Sequence, residues 1–156
     1  MDFIDPKDVP PEAWEQLRNF KAHMDLETSR LVRVIAIGHE VDVADVRVEL
    51  IALEVRDAGA ILYWKAYPAL ERMLGDIKVT ISDERGTEYT TFPAGGGGGG
   101  REWKGELSIT PAPPPDVRVH VQILGFAGFG GAFPMPVQTP VEGNWEFDFG
   151  GGEPRA

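Results

Sequence analysis

The chain has 156 residues, 42% of them hydrophobic and 26% charged, a formal net charge of -10 and no cysteine. That length suits one compact domain with a real core, and the missing cysteine excludes disulfide frameworks, zinc fingers, iron–sulfur sites and thiol nucleophiles. A sequence pI near 4.7 excludes a phosphate-backbone binder, which needs clustered Lys and Arg.

No run of 18 or more apolar residues is present, so no membrane span is expected. The start, Met1-Asp2-Phe3-Ile4-Asp5, has neither a basic n-region nor an apolar h-region, so no secretory signal is read and a cytoplasmic setting is expected.

Residues 1–30 form an acidic segment with a helix. Pro10-Pro11 and Glu12 mark its entry, and Trp14, Leu17, Phe20, Lys21 and Met24 recur at helical spacing as one apolar stripe. So short a helix is marginal alone, so the stripe is expected to dock on its own domain, or else to grip a partner.

From residue 31 the period becomes two. Leu31–Ile37 and Glu40–Ala44 read as a short strand pair. Val46, Val48 and Leu50 share one parity, whereas Ile51, Leu53 and Val55 share the other, which implies a bulge or a crossing between sheets. Asp57–Ala60 is a turn, and Ile61–Tyr67 reads as a strand covered on both faces. Ile77, Val79 and Ile81 alternate with polar residues. Asp83-Glu84-Arg85-Gly86 then reads as a hairpin loop returning into Thr87–Phe92. The run Gly95–Gly100 leads into a strand rather than a helix, so it is a slack hairpin loop and not a phosphate-binding loop.

Trp103, Gly105, Leu107 and Ile109 oppose Lys104, Glu106, Ser108 and Thr110. Val117, Val119, Val121 and Ile123 oppose Arg118, His120 and Gln122, and Trp145, Phe147 and Phe149 oppose Glu146 and Asp148. Each set makes a strand with one dry and one wet face. Pro111–Pro115 is a stiff connector suited to a crossover between sheets. Seven to nine short strands spread over residues 31–150, with no interleaved helix, make an all-β antiparallel sandwich. Residues 151–156 are a tail.

Residues 125–136 carry three phenylalanines and a methionine without any charge. This loop either plugs the open end of the sandwich or exposes an apolar patch, with Phe126, Phe129, Phe133 and Met135 as anchors for a protein partner.

Catalytic chemistry finds little support. Of the serines Ser29, Ser82 and Ser108, none sits in a Gly-x-Ser-x-Gly elbow. Ser82 and Ser108 fall on wet parities. His23 lies in the helix, His39 in a turn and His120 on a wet strand face. His39, Glu40, Asp42 and Asp45 lack metal-ligand spacing and read as solvated, so no metal or other cofactor is expected. Asp and Glu are plentiful, but the sequence does not localise a carboxylate pair acting as acid and base. Trp103 and Trp145 fall on core parities, leaving Trp64, with Tyr63 and Tyr67, as the basis of an alternative small-ligand or carbohydrate-binding reading.

The stretch from about Val41 to Ile123 resembles small immunoglobulin-like sandwich domains of actinobacterial proteins. The likeness is carried by Val46–Leu50, Ile61–Trp64, Ser82–Tyr89, the glycine run and Pro113–Pro115 with Val117–Val119. It implies an immunoglobulin-like sandwich but no activity. The chain departs from such domains in its helix and its Phe/Gly loop. The expected function is a non-enzymatic, acidic module that binds another protein through loop 125–136 and the helix face Trp14, Leu17 and Phe20.

Overall fold

A computed structural model describes residues 5–68, 74–99, 101–127 and 140–151. A short 3-10 turn, Pro6–Asp8, precedes helix α1, Pro11–Thr28. Among the described residues eight strands follow: β1 Leu31–Val43, β2 Val46–Arg56, β3 Gly59–Pro68, β4 Ile77–Asp83, β5 Thr90–Gly99, β6 Glu102–Thr110, β7 Arg118–Phe126 and β8 Val141–Gly150. They form a five-stranded sheet in the order β1-β2-β3-β6-β5 and a three-stranded sheet in the order β4-β7-β8. Every pairing is antiparallel. Among the described residues, no helix is long and apolar enough to cross a membrane.

The core lies between the sheets and follows the two-residue alternation. Val48 and Leu50 of β2, Leu62 and Trp64 of β3, Leu107 and Ile109 of β6, Val121 and Ile123 of β7, and Trp145 and Phe147 of β8 are all buried in it. The parity jump in β2 is a bulge between Leu50 and Ala52. It returns Leu53 and Val55 to the core and leaves Ile51 half-buried. One extra residue thus lets a single strand keep one face dry along its whole length.

A second irregularity relocates a residue expected in the apolar loop. The register of β7 against β8 shifts between Ile123 and Gly125, so Phe126 turns inward with Ile123 instead of alternating outward. Its ring lies 5.7 Å from those of both Trp64 and Trp145, and the side chain is fully buried. Phe126 is therefore a core residue and not a partner anchor. The Trp145 indole also donates from Nε1 to the Val46 carbonyl oxygen at 3.0 Å, tying the two sheets together. Phe129, Phe133 and Met135 lie outside the described residues.

Three further expectations need correction. Leu31–Ile37 and Glu40–Ala44 are not a strand pair but one strand, β1, kinked between Ala36 and His39 where Gly38 adopts a positive φ of 63°. The glycine run is not a slack loop: it is the second half of β5, laddered on β6 from Gly95 opposite Glu106 to Gly99 opposite Glu102. Backbone groups alone make a ladder, so side chains are not required at this sheet edge, and a Cβ at Gly98 would stand 2.1 Å from the Glu102 carbonyl oxygen. The third concerns β4 and β5, which do not form a hairpin. They belong to different sheets, and the chain crosses between them after Asp83. The proline connector, as expected, carries the chain from β6 in one sheet to β7 in the other.

Asp83 holds the β4 corner. Its carboxylate accepts from the backbone N–H groups of Arg85 (2.8 Å) and Thr87 (3.1 Å) and from the Tyr89 hydroxyl (2.6 Å). Hydrogen bonds from Thr87 and Tyr89 hold the carboxyl well below the usual range.

Two predictions follow from the core and the corner. Phe126→Ala removes the ring between two tryptophans and should cost about 3–5 kcal/mol in denaturant unfolding; an exposed anchor would cost almost nothing. Because the folded Asp83 carboxyl titrates below its unfolded value, its contribution is complete above about pH 4 and lost as pH falls further. Asp83→Asn should lower the melting temperature at pH 7 and flatten its decline on acidification.

Candidate functional site

The outer face of the five-stranded sheet carries Glu54 on β2, Ile61, Tyr63 and Lys65 on β3, and Lys104, Glu106 and Ser108 on β6. The pairing sets Ile61 opposite Ser108 and Tyr63 opposite Glu106. Helix α1 covers part of this face. Its two buried residues are His23 and Leu26, and they dock on different chemistry. Leu26 packs above the β2–β3 turn, with its Cδ1 3.3 Å from where a Cβ of Gly59 would stand. His23 meets the polar row of β6.

The His23 imidazole has two partners. Nδ1 lies 2.5 Å from Ser108 Oγ, and Nε2 lies 2.9 Å from Glu27 Oε1 one helical turn on. Glu106 Oε2 stands 3.9 Å from the same Nε2. The ring is only 4% exposed and Ser108 6%. Ser108 therefore does not face water: the strand parity is right, but the helix roofs that position. The chain leaves the helix through Ser29, whose hydroxyl donates to the Leu26 carbonyl at 2.6 Å. Arg56 clamps this exit by donating to the Ser29 carbonyl oxygen at 2.5 Å while pairing with Glu54.

Beside this contact a cleft of about 650 Å³ opens between α1 and the sheet. Phe20, Met24, Glu27, Tyr63, Lys104 and Glu106 are among the residues that line it, and Gly97 of the glycine strand forms part of its wall. Burial raises the Glu106 carboxyl above its ordinary value, and neighbouring Glu27 adds to the rise. Burial, then Glu54 and Glu106, push the Tyr63 hydroxyl up to about 12. It donates to Glu54 at 3.2 Å.

Of the two expectations for the helix stripe, docking on its own domain is not what the structure shows. Leu17 and Phe20 are each 55% exposed, and Trp14 and Met24 are exposed as well. The stripe is not packed on the sheet, whose covered face is polar: Phe20 and Met24 stay at its edge on the cleft wall, and Trp14 and Leu17 lie clear of the cleft. His23 and Glu27 match that face better than leucine or tryptophan would, leaving only Leu26 to meet Ile61's end of the sheet. No residue of the helix before His23 is buried.

The residues of the alternative ligand reading do not converge. The Trp64 ring is in the core, 3% exposed, against Phe126, and its Nε1 has no hydrogen-bond partner among the described residues. Tyr63 lines the cleft, whereas Tyr67 lines a separate groove beside the β1–β2 turn and donates to Glu49 at 3.3 Å. His39, Glu40, Asp42 and Asp45 are exposed, and Arg47 pairs with Asp42 at 3.0 Å and Glu40 at 3.8 Å. His120 sits on the wet face of β7, 3.0 Å from Asp148.

The constellation that does converge is His23, Glu27, Glu106 and Ser108. The helical i, i+4 spacing of His23 and Glu27 was its one local signal in the sequence. Nothing local couples either to residue 106 or 108.

No protein-family model, curated protein or solved structure matches the chain.

The His23–Ser108 contact generates its own prediction. Ser108→Ala strands a buried ring nitrogen without its partner, at a cost of about 1–3 kcal/mol. Denaturant unfolding measures this, and a change below a few tenths of a kcal/mol would show that α1 is not held by that bond.

Proposed function

We propose that this chain is a non-catalytic, immunoglobulin-like module that binds another protein through the outward face of α1. The observation that carries the reading is the exposed stripe of Trp14, Leu17, Phe20 and Met24 on a helix whose first three turns bury nothing. Even an 18-residue helix draws most of its stability from tertiary packing rather than from propensity. Packing of an apolar face is what ordinarily supports it, and here that face is open. Anchors spaced three and four residues apart suit an apolar groove on a partner.

The immunoglobulin-like assignment is supported by strand order. With β1 set aside, β2-β3-β6-β5 against β4-β7-β8 follows the A-B-E-D and C-F-G arrangement of constant-type domains. The non-catalytic assignment is supported by the position of Ser108. A hydroxyl bonded to an imidazole with a carboxylate beyond it has the members of a nucleophilic triad, but with the helix docked this hydroxyl is covered and only 6% exposed, closed to a substrate carbonyl. Loop residues Phe129, Phe133 and Met135 lie outside the described residues, so the reading rests on the helix.

The test is affinity purification from the native lysate with the wild type and the Leu17→Asp/Phe20→Asp double variant. Both side chains are more than half exposed, so the variant should melt with the wild type. An interface anchor is worth about 2 kcal/mol or more, so losing even one of the two should raise the partner's Kd about thirtyfold, and losing both should raise it several hundredfold. Equal recovery of every partner by the two proteins would overturn the reading.

A further inference from the structure

We propose that His23, Glu27 and Glu106 form a binding site for a divalent first-row metal ion, which clamps α1 to β6. The three donor atoms lie within 4.8 Å of one another. Nε2 of His23 stands 2.9 Å from Glu27 Oε1 and 3.9 Å from Glu106 Oε2. A tetrahedral ion with bonds of about 2.0–2.2 Å spaces its ligand atoms about 3.3–3.6 Å apart, between these two separations. The two separations from Nε2 bracket the spacing that one shared ion would impose.

Three features beyond proximity point to a cation. First, the imidazole is oriented by its far side: the buried Ser108 hydroxyl holds Nδ1 at 2.5 Å, as the outer partner of a metal-bound histidine does. In the tautomer with the proton on Nδ1, Nε2 turns a lone pair toward two carboxylates, and a cation placed among the three electron-rich atoms would satisfy all of them. Second, among the described residues no Lys or Arg pairs with either carboxylate: the ion pairs of Glu27 and Glu106 are with His23 alone, while neighbouring Lys65 pairs with Glu102 at 3.6 Å. The other charged or titratable groups nearby are Tyr63, the Glu54–Arg56 pair and Lys104 at the cleft wall. Third, the site is reachable, because the carboxylate side chains are 39% and 35% exposed and line the cleft, leaving room for water on the open side of the ion. One imidazole and two carboxylates suit zinc and its first-row neighbours better than magnesium or calcium, which take oxygen ligands.

A proton on the imidazole can supply the same charge, so metal must displace it and affinity must rise with pH. The experiment uses the full chain without a histidine tag, stripped with chelator, and titrated with ZnCl2 by calorimetry at pH 6.0 and pH 7.5. The expected result is one ion per chain, tighter binding at pH 7.5 and a higher melting temperature with zinc. Glu27→Gln and Glu106→Gln keep size and shape and relieve repulsion between the carboxylates. Each should melt no lower than the wild type without metal, and each should weaken zinc binding at least about tenfold. No heat and no thermal shift in the wild type would overturn the proposal. So would zinc binding unchanged in either variant, which would place the ion elsewhere on an acidic surface. Neither result bears on the outward stripe of α1, which the partner-capture experiment tests separately.

Discussion

The bond between the His23 imidazole and the Ser108 hydroxyl decides which way α1 faces, and the accessible surface of the molecule follows from that choice. A hydrogen bond of this kind is worth only about 0.5–1.5 kcal/mol net, but leaving one buried partner unpaired costs more. Its influence is therefore on orientation. Rotating α1 to bury Trp14, Leu17 and Phe20 would strip His23 from Ser108 and press apolar rings onto Glu106 and Tyr63. The polar row on β6 selects the polar side of the helix, and the apolar stripe is exposed as a consequence.

The same strands that build the core position the site. β3 turns Leu62 and Trp64 inward while Ile61, Tyr63 and Lys65 face the helix, and β6 does the same with Leu107 and Ile109 against Glu106 and Ser108. Both strands have neighbours on each side, so Glu106 and Ser108 project from the stiffest part of the sheet. Glu54 and Arg56 on β2 extend this support to the helix exit at Ser29. His23 and Glu27 come from α1, which buries only His23 and Leu26. A site split between a fixed strand and a weakly docked helix has its geometry controlled by the docking equilibrium.

Alternation in the sequence was enough to assign Trp103, Leu107 and Ile109, the valines of β7, and Trp145, Phe147 and Phe149 to the core. The parity jump after Leu50 was enough to require an irregularity, a bulge or a crossing between sheets, and the β2 bulge is the one formed. These features are local, since a strand's faces are set by its own residues. What could not be read was set by distant chain. The glycine run carries no side-chain pattern, and its strand character comes from β6 alone. The turn after Asp83 has hairpin composition, but β4 finds its partner in β7 and β5 in β6. Phe126 looked like loop because the shift beside Gly125 depends on how β8 pairs. Ser108 is on the wet parity, as alternation says, yet it is dry because a helix some eighty residues earlier lies across it. The candidate site was thus half legible: His23 and Glu27 share a helix face by spacing, while Glu106 and Ser108 join them only through tertiary packing.

Only Leu26 and His23 are buried from the 18-residue helix, so the free energy holding α1 down is small beside that of the sandwich core. Burying one leucine contributes about 1.5–3 kcal/mol, and the His23 contact adds a similar or smaller amount. Against this stands the entropy of fixing the helix and its long side chains. Anything that binds the docked form alone, whether an ion between Glu27 and Glu106 or a partner on the stripe, shifts this balance by its own differential affinity. The two are then coupled through the helix: a cation that fixes the docked orientation removes part of the ordering cost from partner binding, and the partner tightens the cation site by the same factor. This reciprocity requires no conformational change in the sandwich, only a helix attached weakly enough for each contact to matter.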